Sequence, residues 1–265
     1  MKKRIISAIL MILICLPFVL VGGKLFVVGI GILSILAYKE ILSIRGLESY
    51  PKPVVILGLV AMLLIVLSNT TAMFDIIGIN YKYLIAAFML MFLPTVFYYE
   101  NKDYKYTSKE AMFLSAFIIF VGLALNIIMN LFLYELKYFV LLLVLCICTD
   151  VFAYFTGVMI GKRKITKISP NKSLEGFIGG IVMGTALSTI VYVGFINVAP
   201  LYIVIPCLAL LTIVCEIGDL FYSLIKRENN IKDFSNLIPG HGGILDRIDS
   251  ITFVVMVFVI LFRFI

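Results

Sequence analysis

Glu216, Asp219 and Ser223 stand three and four residues apart in a long apolar run, so on a helix they share one face, and Arg227 extends it. Asp246 and Asp249, again three apart, open the last apolar run, and Asp150 lies inside another. A carboxylate at the centre of a bilayer costs on the order of 3 kcal/mol on insertion scales, so acids kept there point to function. Two carboxylate pairs at the same end of two helices offer hard oxygen ligands to divalent cations. The competing account pairs these acids with Lys226, Arg227 or Arg247 and lets Asp246 favour a helix amino terminus. Spacing alone leaves both open.

Two polar loops flank these acids: "GKRKITKISPNKSLEG" at 161–176 and "KRENNIKDFSNLIPGHGG" at 226–243. Glycines let backbone N–H groups approach an anion, and a helix amino terminus adds a positive dipole. "GHGG" before a helix is therefore expected to form a phosphate cradle, although glycines also simply turn a chain. His241 alone reads equally well as an ordinary hydrogen-bonding residue. "GVMIGK" at 157–162 is not a nucleotide-binding loop: it has three residues between its glycines where four are needed, and Arg163 replaces the Ser or Thr. Gly176, Gly180 and Gly184 recur every four residues, the pattern of close helix packing.

The elements that must position these groups are membrane helices. Of the 265 residues, 63% are hydrophobic and 14% charged, far from soluble composition. Apolar runs near 5–21, 25–44, 53–70, 82–99, 110–134, 138–160, 177–198, 201–224 and 245–265 suggest about nine spans. No alternating strands of a membrane barrel are present, so the fold class is an all-α polytopic bundle. "MKKR" precedes the first run without an A-x-A-like cleavage site, which favours an uncleaved helix. With a cytoplasmic amino terminus, 18 of the 22 Lys and Arg residues fall on the inside and 4 outside. That places both polar loops in the cytoplasm, the carboxyl terminus outside, and the protein in the cell membrane. The net charge of +7 is then a topology signal, with attraction to anionic head groups or phosphates beside it; nucleic acid is not expected. Five cysteines in apolar runs, none in a C-x-x-C pair, read as buried thiols. Glu40 reads as a boundary charge paired with nearby lysines. The polar stretch 100–109 divides a scaffold region, 1–109, from a catalytic region, 110–265.

The stretch "SLIKRENNIKDFSNLIPGHGGILDRID" at 223–249 resembles the carboxyl-terminal signature of the phosphatidate cytidylyltransferases, or CDP-diacylglycerol synthases. Ser223, Lys226, Arg227, Lys232, Asp233, His241, Gly242, Gly243, Asp246, Arg247 and Asp249 all match it. Asp150, Ala153, Tyr154, Gly157 and "SPNKSLEG" at 169–176 also look like the family. The first hundred residues agree in character only. The resemblance implies that CTP and phosphatidate give CDP-diacylglycerol and pyrophosphate with Mg²⁺, within a membrane of lipids. It implies Asp219, Asp246 and Asp249 as metal ligands, with Glu216 and Asp150 next. Lys172, Lys226, Arg227, Lys232 and Arg247 become candidates for substrate phosphates. Ser173, Ser223, His241, Gly242 and Gly243 become candidate substrate contacts. A second, monovalent cation such as K⁺ and a homodimer stay open. So do two rival readings, a CTP-dependent polyprenol kinase and an ion-coupled transporter.

Overall fold

The computed structural model describes residues 2–46, 50–68, 81–99, 106–166, 169, 172–240 and 242–262, and their side chains except at 2–9, 12, 15 and 81–84. His241 lies outside the described residues. Among the described residues ten helices follow in order: α1 (Lys2–Val21), α2 (Gly23–Arg45), α3 (Lys52–Leu67), α4 (Tyr81–Phe92), α5 (Thr95–Tyr99), α6 (Ser108–Tyr134), α7 (Leu136–Ile160), α8 (Leu174–Phe195), α9 (Leu201–Glu228) and α10 (Leu245–Leu261). Among the described residues there is no strand, only isolated bridges of Lys164 with Ser173 and of Ile238 with Gly242. The all-helical, many-span expectation holds. Among the described residues five helices, α2, α6, α7, α8 and α9, are long and apolar enough to cross a membrane, and shorter apolar helices cover Lys52–Leu67 and Ile85–Tyr99. At 1.5 Å per residue these five run roughly 33–42 Å, against a hydrocarbon core of about 30 Å.

The expected continuous run at 82–99 is broken between α4 and α5. Pro94 has no N–H to give and its ring displaces the carbonyl four residues back. The Thr95 hydroxyl donates to the Phe92 carbonyl at 2.6 Å and so satisfies a carbonyl the break exposes.

The chain forms two compact units. One comprises Met1–Leu133 with Asp233–Arg247; the other comprises Tyr134–Lys232 with Ile248–Ile265. Packing thus divides the chain after Leu133 and takes the segment 233–247 into the first unit. In that unit α6 packs against α3: Asn126 Nδ2 donates to the Val66 and Ser68 carbonyls at 2.8 and 2.7 Å, closing the open end of α3. Phe26 and Phe132 stack at 3.7 Å.

In the second unit α7 and α8 lie against each other along most of their length. The glycine stripe makes this possible. A Cβ on Gly176 would stand 2.6 Å from the Ala153 carbonyl oxygen. One on Gly180 would stand 2.8–2.9 Å from Glu216 Oε1, Ala153 Cβ and the Thr149 carbonyl, and one on Gly184 would strike the Thr149 hydroxyl. The outer faces of the helices are apolar instead of polar: Met159, Phe195 and Tyr202 are more than 70% exposed. An aqueous protein would bury such groups, and lipid is the solvent that removes the need. Cys146, Cys148, Cys207 and Cys215 are free thiols, as expected.

Candidate active site

In the second unit the acids of α9 meet a lysine from the loop between α7 and α8. That loop doubles back on itself. The Ile165 N–H donates to the Lys172 carbonyl at 3.2 Å and the Leu174 N–H to the Arg163 carbonyl at 2.8 Å. Glu175 Oε2 accepts the N–H groups of Lys162 and Arg163 at 3.0 and 3.2 Å. Ser173 caps α8, its hydroxyl accepting the Gly176 N–H at 3.1 Å. These bonds fix the chain on both sides of Lys172.

The Lys172 ammonium is held 2.6 Å from Glu216 Oε2 and 2.6 Å from Asp219 Oδ2. Burial alone would lower the pKa of this ammonium. The charges of Asp219 and then Glu216 outweigh that penalty, and their hydrogen bonds add to it, so the pKa rises above the ordinary lysine value. Glu216 is fully buried and its Oε1 has no hydrogen-bond partner among the described residues, whereas the Asp219 side chain is 28% exposed.

Lys172, which the competing account did not include, is thus an ion-pair partner of both α9 acids. Asp249, on α10, is within electrostatic reach of Asp219, Lys226 and Asp150. Lys226 is buried to 8% exposure on α9, while Arg227 is exposed and donates to the Ile231 carbonyl at 3.2 Å. Ser223 is half-buried on α9, and Lys232 and Asp150 are exposed. Among the described residues no three His, Cys, Asp or Glu side chains gather closely enough to form a ready-made metal cage.

The segment 233–247, in the first unit, holds a different arrangement. Gly242 takes φ +82°, a left-handed turn in which a side chain is strained. The Gly243 N–H and the Phe234 N–H both donate to Asp246 Oδ2 at 2.9 Å. The next two N–H groups, of Ile244 and Leu245, donate to Glu40 Oε1 and Oε2 at 2.8 Å each. The N–H groups of Gly243, Ile244 and Leu245 thus face protein carboxylates. Asp246, expected as a metal ligand, has Oδ2 committed to the loop. Arg247 is exposed.

Glu40 is the residue that sequence reasoning missed. Taken as a boundary charge beside lysines, it is 4% exposed and bonded to the far end of the chain. Its place inside an apolar helix was the available signal; its partners are about 200 residues away.

A model of the cytidylyltransferase family matches residues 2–265. The phosphatidate cytidylyltransferase of Bacillus subtilis (strain 168) is 36% identical over 259 residues, covering 96% of this chain and 94% of its own. Those of Staphylococcus aureus (strain COL) and Staphylococcus haemolyticus (strain JCSC1435) are 33% and 32% identical, each covering 96% of both chains.

Proposed function

The chain belongs to the cytidylyltransferase family, and from that premise we propose that it is the membrane enzyme that joins CTP and phosphatidate into CDP-diacylglycerol. A phosphate oxygen of phosphatidate attacks the α-phosphorus of CTP. The new P–O bond forms as the bond to the β-phosphate bridging oxygen breaks, and pyrophosphate leaves with that electron pair. The nucleophile is already an anion near neutral pH, so no general base is required. The protein's task is to bring two polyanions together and balance their charge.

The observation that carries this reading is the ion-paired trio of Lys172 with Glu216 and Asp219, the two acids on a helix otherwise made for lipid. A transporter or scaffold gives no reason for the accompanying Lys226, Arg227 and Lys232 in the last turn of α9 and just after it. Lys226, by burial and nearness to Asp249, is the basic group best placed to meet the reacting phosphates. Arg227, Lys232 and Arg247 are exposed, as groups that meet a soluble nucleotide first should be. Ser223 lies one turn from Asp219 and is a candidate hydrogen-bond donor.

The donor set fits Mg²⁺. That ion is commonly held by one or two carboxylates, with waters and substrate phosphates completing its shell. Glu216 Oε1 is an orphaned buried anion oxygen, and the Lys172 ammonium already marks the space beside Glu216 and Asp219 as one that accepts positive charge. Glu216 and Asp219 would hold the ion, with Asp249 and Asp150 as further acids of the same unit. Bound there, Mg²⁺ would supply charge neutralisation at the phosphates.

Release of pyrophosphate from CTP by purified protein in mixed micelles, dependent on phosphatidate, is the direct test. CDP without pyrophosphate would mean a kinase instead. The charge distribution supports an orientation with residues 161–176 and 226–243 in the cytoplasm, facing soluble CTP. A single cysteine at Asn236 should then escape an impermeant thiol reagent in intact cells while one at Val198 reacts; the reverse pattern would invert the topology.

A further inference from the structure

We infer that Glu40 is a positioning residue of the transfer reaction: it fixes the loop 233–244 and the start of α10 from a helix that contributes nothing else to the signature. The inference rests on the reading of the chain as a cytidylyltransferase.

The geometry is specific to an anion. Both carboxylate oxygens are used, Oε1 by the Ser235 hydroxyl at 2.6 Å and the Ile244 N–H at 2.8 Å, Oε2 by the Leu245 N–H at 2.8 Å. Three donors converge on one carboxylate, and no proton of its own is needed. Gly243 is where the chain passes the acid: a Cβ there would stand 2.6 Å from Glu40 Cδ and Oε2. The first N–H groups of a helix have no partner within it. At α10 those of Gly243, Ile244 and Leu245 are satisfied by Asp246 and Glu40, and the negative charges also favour this end of the helix dipole. Asp246 and Arg247 stand in that first turn and Asp249 one residue past it. A shift of the helix start carries all three away from productive positions, and small misplacements are expensive in rate.

Glu40→Gln keeps the size and removes the anion; its amide NH₂ must face a donor. Two measurements on the full-length protein in detergent decide the matter. The first is amide hydrogen exchange over residues 233–247. Exchange in Glu40→Gln should rise by about tenfold or more there, the scale of a lost charge-assisted hydrogen bond, with peptides of α7 and α8 unchanged. The second is steady-state kinetics, with turnover counted per CTP-binding molecule. The value of kcat should fall by about 10- to 100-fold while KM for CTP moves less than about threefold. Ser235→Ala, which removes only one of the three donors, should give smaller changes in the same direction. It serves in place of Glu40→Gln if that variant does not fold. Unchanged exchange, or raised exchange with wild-type kcat, overturns the inference. Wild-type protein that releases no pyrophosphate would refute the assigned reaction instead, and the exchange result would still judge the Glu40 contact.

Discussion

Lys172 Nζ and Asp219 Oδ2 stand 2.6 Å apart, and the same ammonium is equally close to the fully buried Glu216. One positive charge therefore balances two acids on a helix that is otherwise apolar. Removing it leaves a buried carboxylate without compensation, and breaking a buried pair from one side typically costs about 3–5 kcal/mol.

Lys172→Met is accordingly expected to lower the thermal stability of the solubilised protein markedly. Adding Glu216→Gln removes the stranded charge and should recover most of the loss. Turnover should stay low in both variants, because both lack the Lys172 ammonium. Equal stability of Lys172→Met and wild type in a melting experiment would mean that the pair carries no net weight.

The pH dependence of this contribution follows from the direction of the Lys172 shift. The folded pKa lies above that of the unfolded chain, so the contribution is complete below the ordinary lysine range and is lost only as pH rises through the folded value. Between about pH 7 and about pH 9.5 the stability difference between wild type and Lys172→Met should therefore be flat. A difference that shrinks steadily over this range would show that Lys172 titrates like an exposed lysine.

The glycines of α8 give a test of packing that is independent of chemistry. Gly180→Ala puts a methyl group 2.8–2.9 Å from Glu216 Oε1, Ala153 Cβ and the Thr149 carbonyl. Overpacking of this kind costs about 1–3 kcal/mol. Gly194, near the other end of the same helix, has nothing within 4 Å of the added Cβ. Gly194→Ala should be neutral or stabilise by up to about 1 kcal/mol through helix propensity. Melting temperatures of the two variants should move in opposite directions; a shared direction would remove the close-packing account of the stripe.

What the sequence could reveal depended on the range of the contacts. The helices were legible because a run of about 20 apolar residues is a local property, and Pro94 was a local sign of the break in the fourth run that the hydropathy pattern concealed. The Glu216–Asp219 face was legible from helical spacing. Its partner was not, because Lys172 lies 44 residues from Glu216 and enters through a loop whose course depends on the Arg163–Leu174 and Ile165–Lys172 backbone bonds. At the Gly242–Gly243 turn the N–H groups of Gly243, Ile244 and Leu245 all point to carboxylates. The anion they meet could not be read, since Glu40 and Leu245 are 205 residues apart and nothing in either neighbourhood names the other.

The two basic groups of the second unit should separate in kinetics. Lys226 is buried on the helix that carries Asp219 and acts electrostatically on Asp249, and we propose its ammonium as the basic group that meets the reacting phosphates. Lys162, Arg163 and Lys164 are exposed after the end of α7, and the backbone N–H groups at 162 and 163 hold Glu175, so we propose their charged side chains for contact with anionic head groups. Arg227, expected from sequence to act beside Lys226, is exposed, and its guanidinium donates to the Ile231 carbonyl. Lys226→Met should therefore lower kcat by about 10- to 150-fold, the range of one charge-assisted hydrogen bond worth about 1.5–3 kcal/mol. Neutral substitutions at 162–164 should leave kcat within about threefold and raise the apparent KM for phosphatidate. That increase should shrink as salt rises, because screening weakens the wild-type attraction as well. Steady-state rates in mixed micelles, with each substrate varied at two ionic strengths, measure all four quantities. A kcat loss confined to the 162–164 variants, with Lys226→Met altering only KM, would reverse the assignment of the two groups.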